Sequence, residues 1–395
     1  MGTLERSGGG VMSGVSFGFA TATSVLFGPG RAAELPDLVG GLGARPFVCT
    51  GARPDRHAEL IDRLPSPYRI WQVAGEPAVD DARDAVAAAR AHGADVVVAV
   101  GGGSVLDLGK AVAALLGNGT DPLDHLEIVG RGRPITRPSV PFVAVPTTSG
   151  TGAEVTANAV LTVPEAGLKA SLRGPHLLPR VALVDPLLTL GCPPAVTASS
   201  GLDALTQCLE PFVSAYANPV SDGLAREGLR RAGRALRRAC ADGSDVEART
   251  DMALCSLLGG MSLANAKLGA VHGFAGVVGG MVAVPHGVAC AALLAPVVEA
   301  NVRALRARDA ADPALERFAE AARLLTGRPE ATVEDGLAWL RETVSLLGVR
   351  GLDAYGLAAR SSDEIVTKAA GSSSMRGNPI ALSPAELHAV LAAAR

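Results

Sequence analysis

The chain has 395 residues, 48% of them hydrophobic and 19% charged, with a formal net charge of -3. That length exceeds a single comfortable core, so two domains are expected. The near-neutral balance excludes a basic nucleic-acid surface, and no apolar run reaches membrane-spanning length without Gly, Pro or charge, so neither nucleic acid nor membrane is expected as a partner.

In chain order, residues 1–15, MGTLERSGGGVMSGV, lack the cationic start and apolar core of a secretion signal and read as a flexible leader. From about residue 46 to 185, short apolar runs (RPFVCTG, YRIWQVAG, ADVVVAVGGGS, VPFVAVPTT, RVALVDP) alternate with amphipathic stretches (HAELIDRL, DDARDAVAAARAHG, VLDLGKAVAALLG). This alternation predicts crossover units on a mostly parallel sheet, giving an α/β domain over residues 16–189. After Pro193-Pro194 the texture changes to long segments rich in Ala, Leu and Arg with no comparable strand signal, which predicts an all-helical domain over 190–395. Six scattered cysteines without a CxxC pair suggest neither a zinc knuckle nor a disulfide frame and fit a reducing cytoplasm.

Two loops carry the first chemistry. Gly101, Gly102 and Gly103 follow an apolar strand and precede Ser104 at a helix start, where bare backbone and free amides suit a phosphate. The pattern is not GxGxxG, and a tight strand-to-helix turn is the plainer reading. Asp107, on the first turns of that helix, faces either a ligand or water. The second loop, PTTSGTG, offers the hydroxyls of Thr147, Thr148 and Thr151 at the expected carboxyl edge of the sheet, where open α/β sheets bind ligands. Two such loops favour a dinucleotide over a single phosphate.

The helical half supplies the second set. Asp203 and Gln207 are four apart in an apolar helix, where a lone carboxylate is costly unless paired or metal-bound. His272 and His286 are fourteen apart in an apolar stretch, and Pro285 with its neighbouring glycines forbids one unbroken helix between them. A helix, a turn and a second helix start would point both rings into one cleft. An Asp with two histidines then makes three ligands for a divalent cation. Two satisfied core histidines and an ion-paired Asp are the bland alternative.

The motifs GGGSVLDLGKA, PTTSGTGAEVT, GLDALTQCLE, AVHGF and PHGVACAALLAPVVEAN occur in the order and spacing of the iron-containing (group III) alcohol dehydrogenases. The chain resembles that family over residues 16 to 393, and its two ends, FGFATATSVLFGPG and SSMRGNPIALSPAELHAVL, resemble the maleylacetate reductase branch. The resemblance implies a Rossmann-like α/β N-terminal domain, an all-α C-terminal domain as in the dehydroquinate synthase-like fold, and an active site in the cleft between them. It also implies a homodimer joined through the N-terminal domain.

The family's metal positions correspond to Asp203, Gln207, His272 and His286, with Gln207 standing where histidine is usual. Gly276 departs as well, where many members carry a further histidine. The implied activity is NAD(P)-dependent interconversion of a small alcohol with its aldehyde or ketone, with Fe²⁺ or Zn²⁺ as Lewis acid. The alternative is a metal-independent, maleylacetate reductase-like reduction of an oxo-acid in which a histidine acts on the carbonyl. The family's NAD-restricted members tend to place an Asp after the first strand, here RPFVCTG. Gly51 stands there, with Arg53 close behind, so NADP is favoured over NAD. Phe274, Val277 and Asn378 are candidates for choosing the substrate. A carbon–oxygen lyase and a cofactor-binding protein without catalysis are the rival classes.

Overall fold

The structure, a computed structural model, describes residues 15–395; the expected leader, Val15 apart, lies outside the described residues. The first domain runs β1 (Ser24–Phe27), α1 (Leu35–Gly40), β2 (Pro46–Gly51), α2 (Ala58–Ile61), β3 (Arg69–Val73), α3 (Val79–His92), β4 (Val96–Gly101), α4 (Gly103–Asn118), α5 (Pro122–His125), β5 (Phe142–Pro146), β6 (Asn158–Val163), β7 (Leu168–Arg173) and β8 (Val181–Val184). Six strands pair in parallel in the order β1-β8-β5-β4-β2-β3. The central strands β4 and β5 are buried along their whole length, which is why they read as continuous apolar runs rather than alternating ones. Helices α3 and α4 cover one face, while α1 and α2 contribute Leu35, Val39 and Ile61 to the other.

Two local expectations change. HAELIDRL yields only the single turn α2, because Pro65 and Pro67 follow and stop the helix. An antiparallel hairpin, β6 with β7, was not foreseen between the hydroxyl-rich loop and β8; it pairs Asn158 with Arg173 through Val163 with Leu168. The hairpin lies over α4, turns at Gly167 with φ 60°, and reaches the second domain.

That domain is helical throughout: α6 (Pro194–Val213), α7 (Pro219–Ala241), α8 (Val246–Ala266), α9 (Ala270–Met281), α10 (His286–Arg308), α11 (Pro313–Thr326), α12 (Val333–Leu346), α13 (Ser362–Ala370) and α14 (Pro384–Ala394). Their starts follow from local chemistry. Asn218 accepts from the amides of Val220 and Ser221 with Pro219 in the first turn, and Ser383 with Glu386 forms a reciprocal cap before α14. Helix α10 is long and apolar enough to cross a membrane, yet 72% of its apolar window is buried inside the domain, as a central core helix requires.

The domains meet closely at two places. The chain leaving β5 turns at Gly152, φ 58°, against Gly260 of α8; a Cβ on Gly152 would stand 2.4 Å from the Gly260 Cα. Gly150, in the same loop, leaves no room for a Cβ against Ser200 of α6, whose Cβ it would approach to 2.8 Å. Replacing Gly152 by Ala therefore imposes both a left-handed backbone on an L residue and a backbone clash, with an expected loss of about 1–3 kcal/mol. An unchanged urea midpoint for Gly152→Ala would contradict the close approach.

Glu154 lies two residues along the same seam, 2% exposed, and burial pushes its carboxyl up to about 7 against the opposing pull of its own backbone amide and of Lys110. The folded protein then holds a proton that the unfolded chain releases near 4.5, so stability declines as pH rises from about 4.5 through about 7. Glu154→Gln should remove that component, at most about 3 kcal/mol, seen as a smaller difference between urea midpoints at about pH 5 and about pH 8. Parallel profiles for parent and variant would rule it out.

Candidate functional site

Helix α6 sets Asp203, Gln207 and Glu210 on one buried face, at spacings of four and three residues. Asp203 Oδ2 accepts a hydrogen bond from Gln207 Nε2 at 3.0 Å, while Asp203 Oδ1 and Gln207 Oε1 are buried without a hydrogen-bond partner. Glu210 works on the next helix: its Oε1 accepts the amide of Val271 at 2.7 Å, and its Oε2 accepts from His272 Nδ1 at 2.7 Å. Asn378 accepts the neighbouring amide of Ala270 at 3.1 Å and is itself held by Asn301. The first amides of α9, which have no partner within their own helix, are thus taken by two buried side chains, and the position of His272 follows.

With Nδ1 committed to Glu210, His272 turns Nε2 towards Asp203 Oδ1 at 3.3 Å. His286, the first residue of α10, brings its Nε2 to 3.9 Å from the same oxygen, and the two ring centroids are 5.4 Å apart. The expected break at Pro285 is what allows this, since α9 ends at Met281 and α10 starts anew. One turn along α10, Cys290 Sγ lies 3.6 Å from His286 Nε2 and 3.8 Å from His272 Nε2. Ligand atoms of Asp203, His272, His286 and Cys290 all fall within 4.8 Å of one another. The cluster is closed on the inside and open at one corner: the His272 side chain is 6% exposed, that of His286 35%.

The electrostatics follow from this crowding. Burial opposes the charged His272 ring, yet the Cys290 sulfur and the Asp203 and Glu210 carboxylates hold it well above the ordinary histidine range. The Cys290 sulfur, opposed by burial and aided by Asp203, raises His286 to about 9. Asp203 itself, despite the burial that works against its charge, is held below the usual carboxylate range by His286 and His272.

The residues predicted for a cofactor gather at the carboxyl edge of the sheet. Gly101 ends β4 and Gly103 begins α4, and the Thr147 amide donates to the Gly101 carbonyl at 2.9 Å, tying the two loops together. A Cβ on Gly103 would stand 2.7 Å from Thr151, and one on Gly102 3.3 Å from Thr148 Oγ1, so both glycines face the hydroxyl-bearing loop. Ser104 is partly exposed beside them. Gly51 ends β2 with open space where a side chain would be, and Arg53 is exposed and paired with Asp55 at 2.9 Å.

Asp107 is only partly exposed: it accepts the Val160 amide at 3.2 Å and pairs with buried Lys110 at 3.2 Å. Burial raises its carboxyl, with Lys110, the Val160 amide and the nearby His286 opposing, which sets the cofactor-side helix beside the histidine cluster. Two substrate candidates are corrected. Phe274 is fully buried in the helical core and Asn378 is the buried bracket at the start of α9, so neither lines a cleft; Val277 packs half-buried against the same core. Gly276 is exposed with open space around its Cα. Sequence reasoning missed Glu210 and Cys290. Their signal was spacing: Glu210 is seven residues, two helical turns, after Asp203, and Cys290 is four after His286.

Comparison with known proteins agrees with this arrangement. The family model described as iron-containing alcohol dehydrogenase matches residues 22–186, and that of the Fe-containing alcohol dehydrogenase family, C-terminal, matches residues 197–395. Long-chain-alcohol dehydrogenase 1 of Geobacillus thermodenitrificans is 42% identical over 252 residues, which span 62% of this chain and 63% of that relative's own length. The crystal structure of a 1,3-propanediol oxidoreductase superposes with a TM-score of 0.86 at 31% identity, covering 96% of this chain and all of that one. Sulfoacetaldehyde reductase from Bifidobacterium kashiwanohense, solved in complex with NAD+, gives a TM-score of 0.85 at 28% identity over 96% of this chain and 99% of its own. With its parallel-sheet domain carrying glycine and threonine loops, its helical domain carrying the carboxylate and imidazoles, and both matched by these two models, the chain belongs to the iron-containing alcohol dehydrogenase family.

Proposed function

We propose that the chain is a nicotinamide-dependent oxidoreductase that interconverts a small alcohol and its aldehyde or ketone, with a divalent metal held by Asp203, His272 and His286. The observation that carries this reading is the buried, unpartnered Oδ1 of Asp203 facing the Nε2 atoms of both histidines. Once Glu210 fixes the proton on His272 Nδ1, carboxylate oxygen and imidazole nitrogen meet as two acceptors, an arrangement that requires a cation or a second proton. A cation bound there supplies Lewis acidity towards the substrate oxygen as hydride passes to or from the nicotinamide.

The remaining roles belong to the chain. Gly101, Gly102, Gly103 and Ser104 present backbone amides at the start of α4 to the cofactor's pyrophosphate, and Thr147, Thr148 and Thr151 border it with hydroxyls. Glu210 holds the imidazole of His272 in one orientation, and Gln207 does the same for Asp203. The half-exposed face of His286 gives the substrate its approach. The metal-independent oxo-acid alternative is not favoured, because Asp203 is present in the cluster and the similar proteins include alcohol dehydrogenases and a diol oxidoreductase. Exhaustive chelation should lower kcat/KM on a panel of short primary alcohols and diols by about 100-fold or more, restored by Fe²⁺ or Zn²⁺. Full activity in the metal-free protein would defeat this reading.

For the cofactor we propose that NADP(H) is accepted at least as well as NAD(H). Gly51 offers no carboxylate to bind a ribose 2′-hydroxyl or repel a 2′-phosphate, and Arg53 can exchange its exposed partner Asp55 for that phosphate. The relative solved with NAD+ shows that dinucleotide in its own site. Initial rates with both cofactors measure the preference; a kcat/KM about tenfold higher with NADH than with NADPH would refute it.

A further inference from the structure

The cluster contains one donor more than the proposed function uses. Cys290 is a buried core residue whose Sγ stands 3.6 and 3.8 Å from the two imidazole nitrogens, and the Asp203 Oδ1 between them has no hydrogen-bond partner. We propose that the thiolate of Cys290 is the fourth metal donor, standing in for Gln207. The inference rests on the metal reading above and deepens it.

Three observations support the exchange. First, the separations fit. With metal–nitrogen and metal–oxygen bonds of about 2.1 Å and a metal–sulfur bond of about 2.3 Å, a tetrahedron has edges of about 3.4 Å between nitrogen and oxygen and about 3.6 Å between nitrogen and sulfur. The protein presents 3.3 and 3.9 Å for the former and 3.6 and 3.8 Å for the latter. Second, Gln207 is engaged. Its Nε2 donates to Asp203 Oδ2 and so orients the carboxylate, and its remaining Oε1, buried without a partner, is a neutral amide oxygen and a weaker donor than a thiolate. Third, Cys290 shares α10 with His286, four residues on, so one rigid helix turn delivers both donors from the side opposite α6.

The chemistry is a ligand exchange: one metal–sulfur bond forms, the thiol proton leaves to solvent, and nothing is oxidised or reduced. A site of one carboxylate, two imidazoles and one thiolate is softer than one with a third imidazole or an amide, which turns its preference from Fe²⁺ towards Zn²⁺.

The test loads the metal-free full-length protein with Co²⁺ as a spectroscopic probe for zinc. The expected result is one Co²⁺ per chain, visible ligand-field bands, and an intense sulfur-to-cobalt charge-transfer band in the near ultraviolet. In Cys290→Ser the charge-transfer band should disappear while the ligand-field bands remain, and Gln207→Leu should keep the band with metal affinity lowered about 10- to 100-fold. X-ray absorption of the zinc-loaded parent protein gives a reading that no variant's folding can confuse: one sulfur neighbour at about 2.3 Å is expected. Stoichiometric cobalt with no charge-transfer band, and only nitrogen and oxygen neighbours on zinc, would overturn the role of Cys290, assign the fourth position to the Gln207 carbonyl, and leave the metal reading intact. No retained cobalt at all would overturn both.

Discussion

Two acceptors 3.3 Å apart in a buried site, Asp203 Oδ1 and His272 Nε2, repel each other unless positive charge lies between them. Much of the second domain serves to hold them there. Helix α6 fixes the carboxylate, Gln207 takes its other oxygen, and Glu210, two turns further on, reaches across to the start of α9. In the metal-free protein the same pressure acts on protons instead: both imidazoles are raised above the ordinary histidine range because the site wants a cation and a proton is the available one. The direction of these shifts and the unpartnered oxygen are one physical fact seen twice.

Glu210 shows why the arrangement is stable. A buried carboxylate without partners would cost several kcal/mol, but this one neutralises the exposed amide of a helix start and an imidazole N–H at once. Asn378, arriving from the far end of the chain, takes the next amide and is locked by Asn301. Glycine at 269 is what lets both come so near, since a Cβ there would lie 2.8 Å from Glu210 Oε1 and 3.0 Å from Asn378 Oδ1. Residues 210, 269, 301 and 378 thus act together as a socket for one histidine ring.

The fold class was legible because it rests on periodicity, which a single sequence contains. Continuous apolar runs such as VVVAV announce buried parallel strands, and the change to three- and four-residue spacing after Pro194 announces helices. The β6–β7 hairpin escaped notice because its strands are half-buried and alternate, NAVLTV and LKASLR, with two charges in the second and a Pro-Glu-Ala-Gly turn between them. At the site, Asp203, His272 and His286 stood out as polar residues in apolar stretches. Cys290 did not, since a cysteine among Ala and Leu looks like core, and Glu210 reads as an ordinary charge on a helix. Their meaning arises from contacts 62 and 18 residues away in the chain, and no local pattern encodes those. Phe274 erred the other way: proximity in sequence to His272 says nothing about which side of α9 a residue faces.

The division of labour between the domains explains why the seam is so tightly built. Every cluster ligand comes from α6, α9 or α10, and every glycine or threonine proposed for the cofactor comes from a strand end of the sheet. The proposed hydride transfer requires the two halves in register to about 0.5 Å, a tolerance that flexible side chains spanning the gap could not maintain. Backbone contacts can. Gly152 against Gly260 and Gly150 against Ser200 bring the hydroxyl-bearing loop against the helical domain without long side chains between them, one pair fixing that loop on α8 and the other on α6. The single exposed corner, at His286, then lies on the side where Asp107 of α4 is near enough to feel its charge. A site walled by α6, α9 and α10 and exposed at His286 offers an incoming molecule an approach beside that imidazole, on the side of α4.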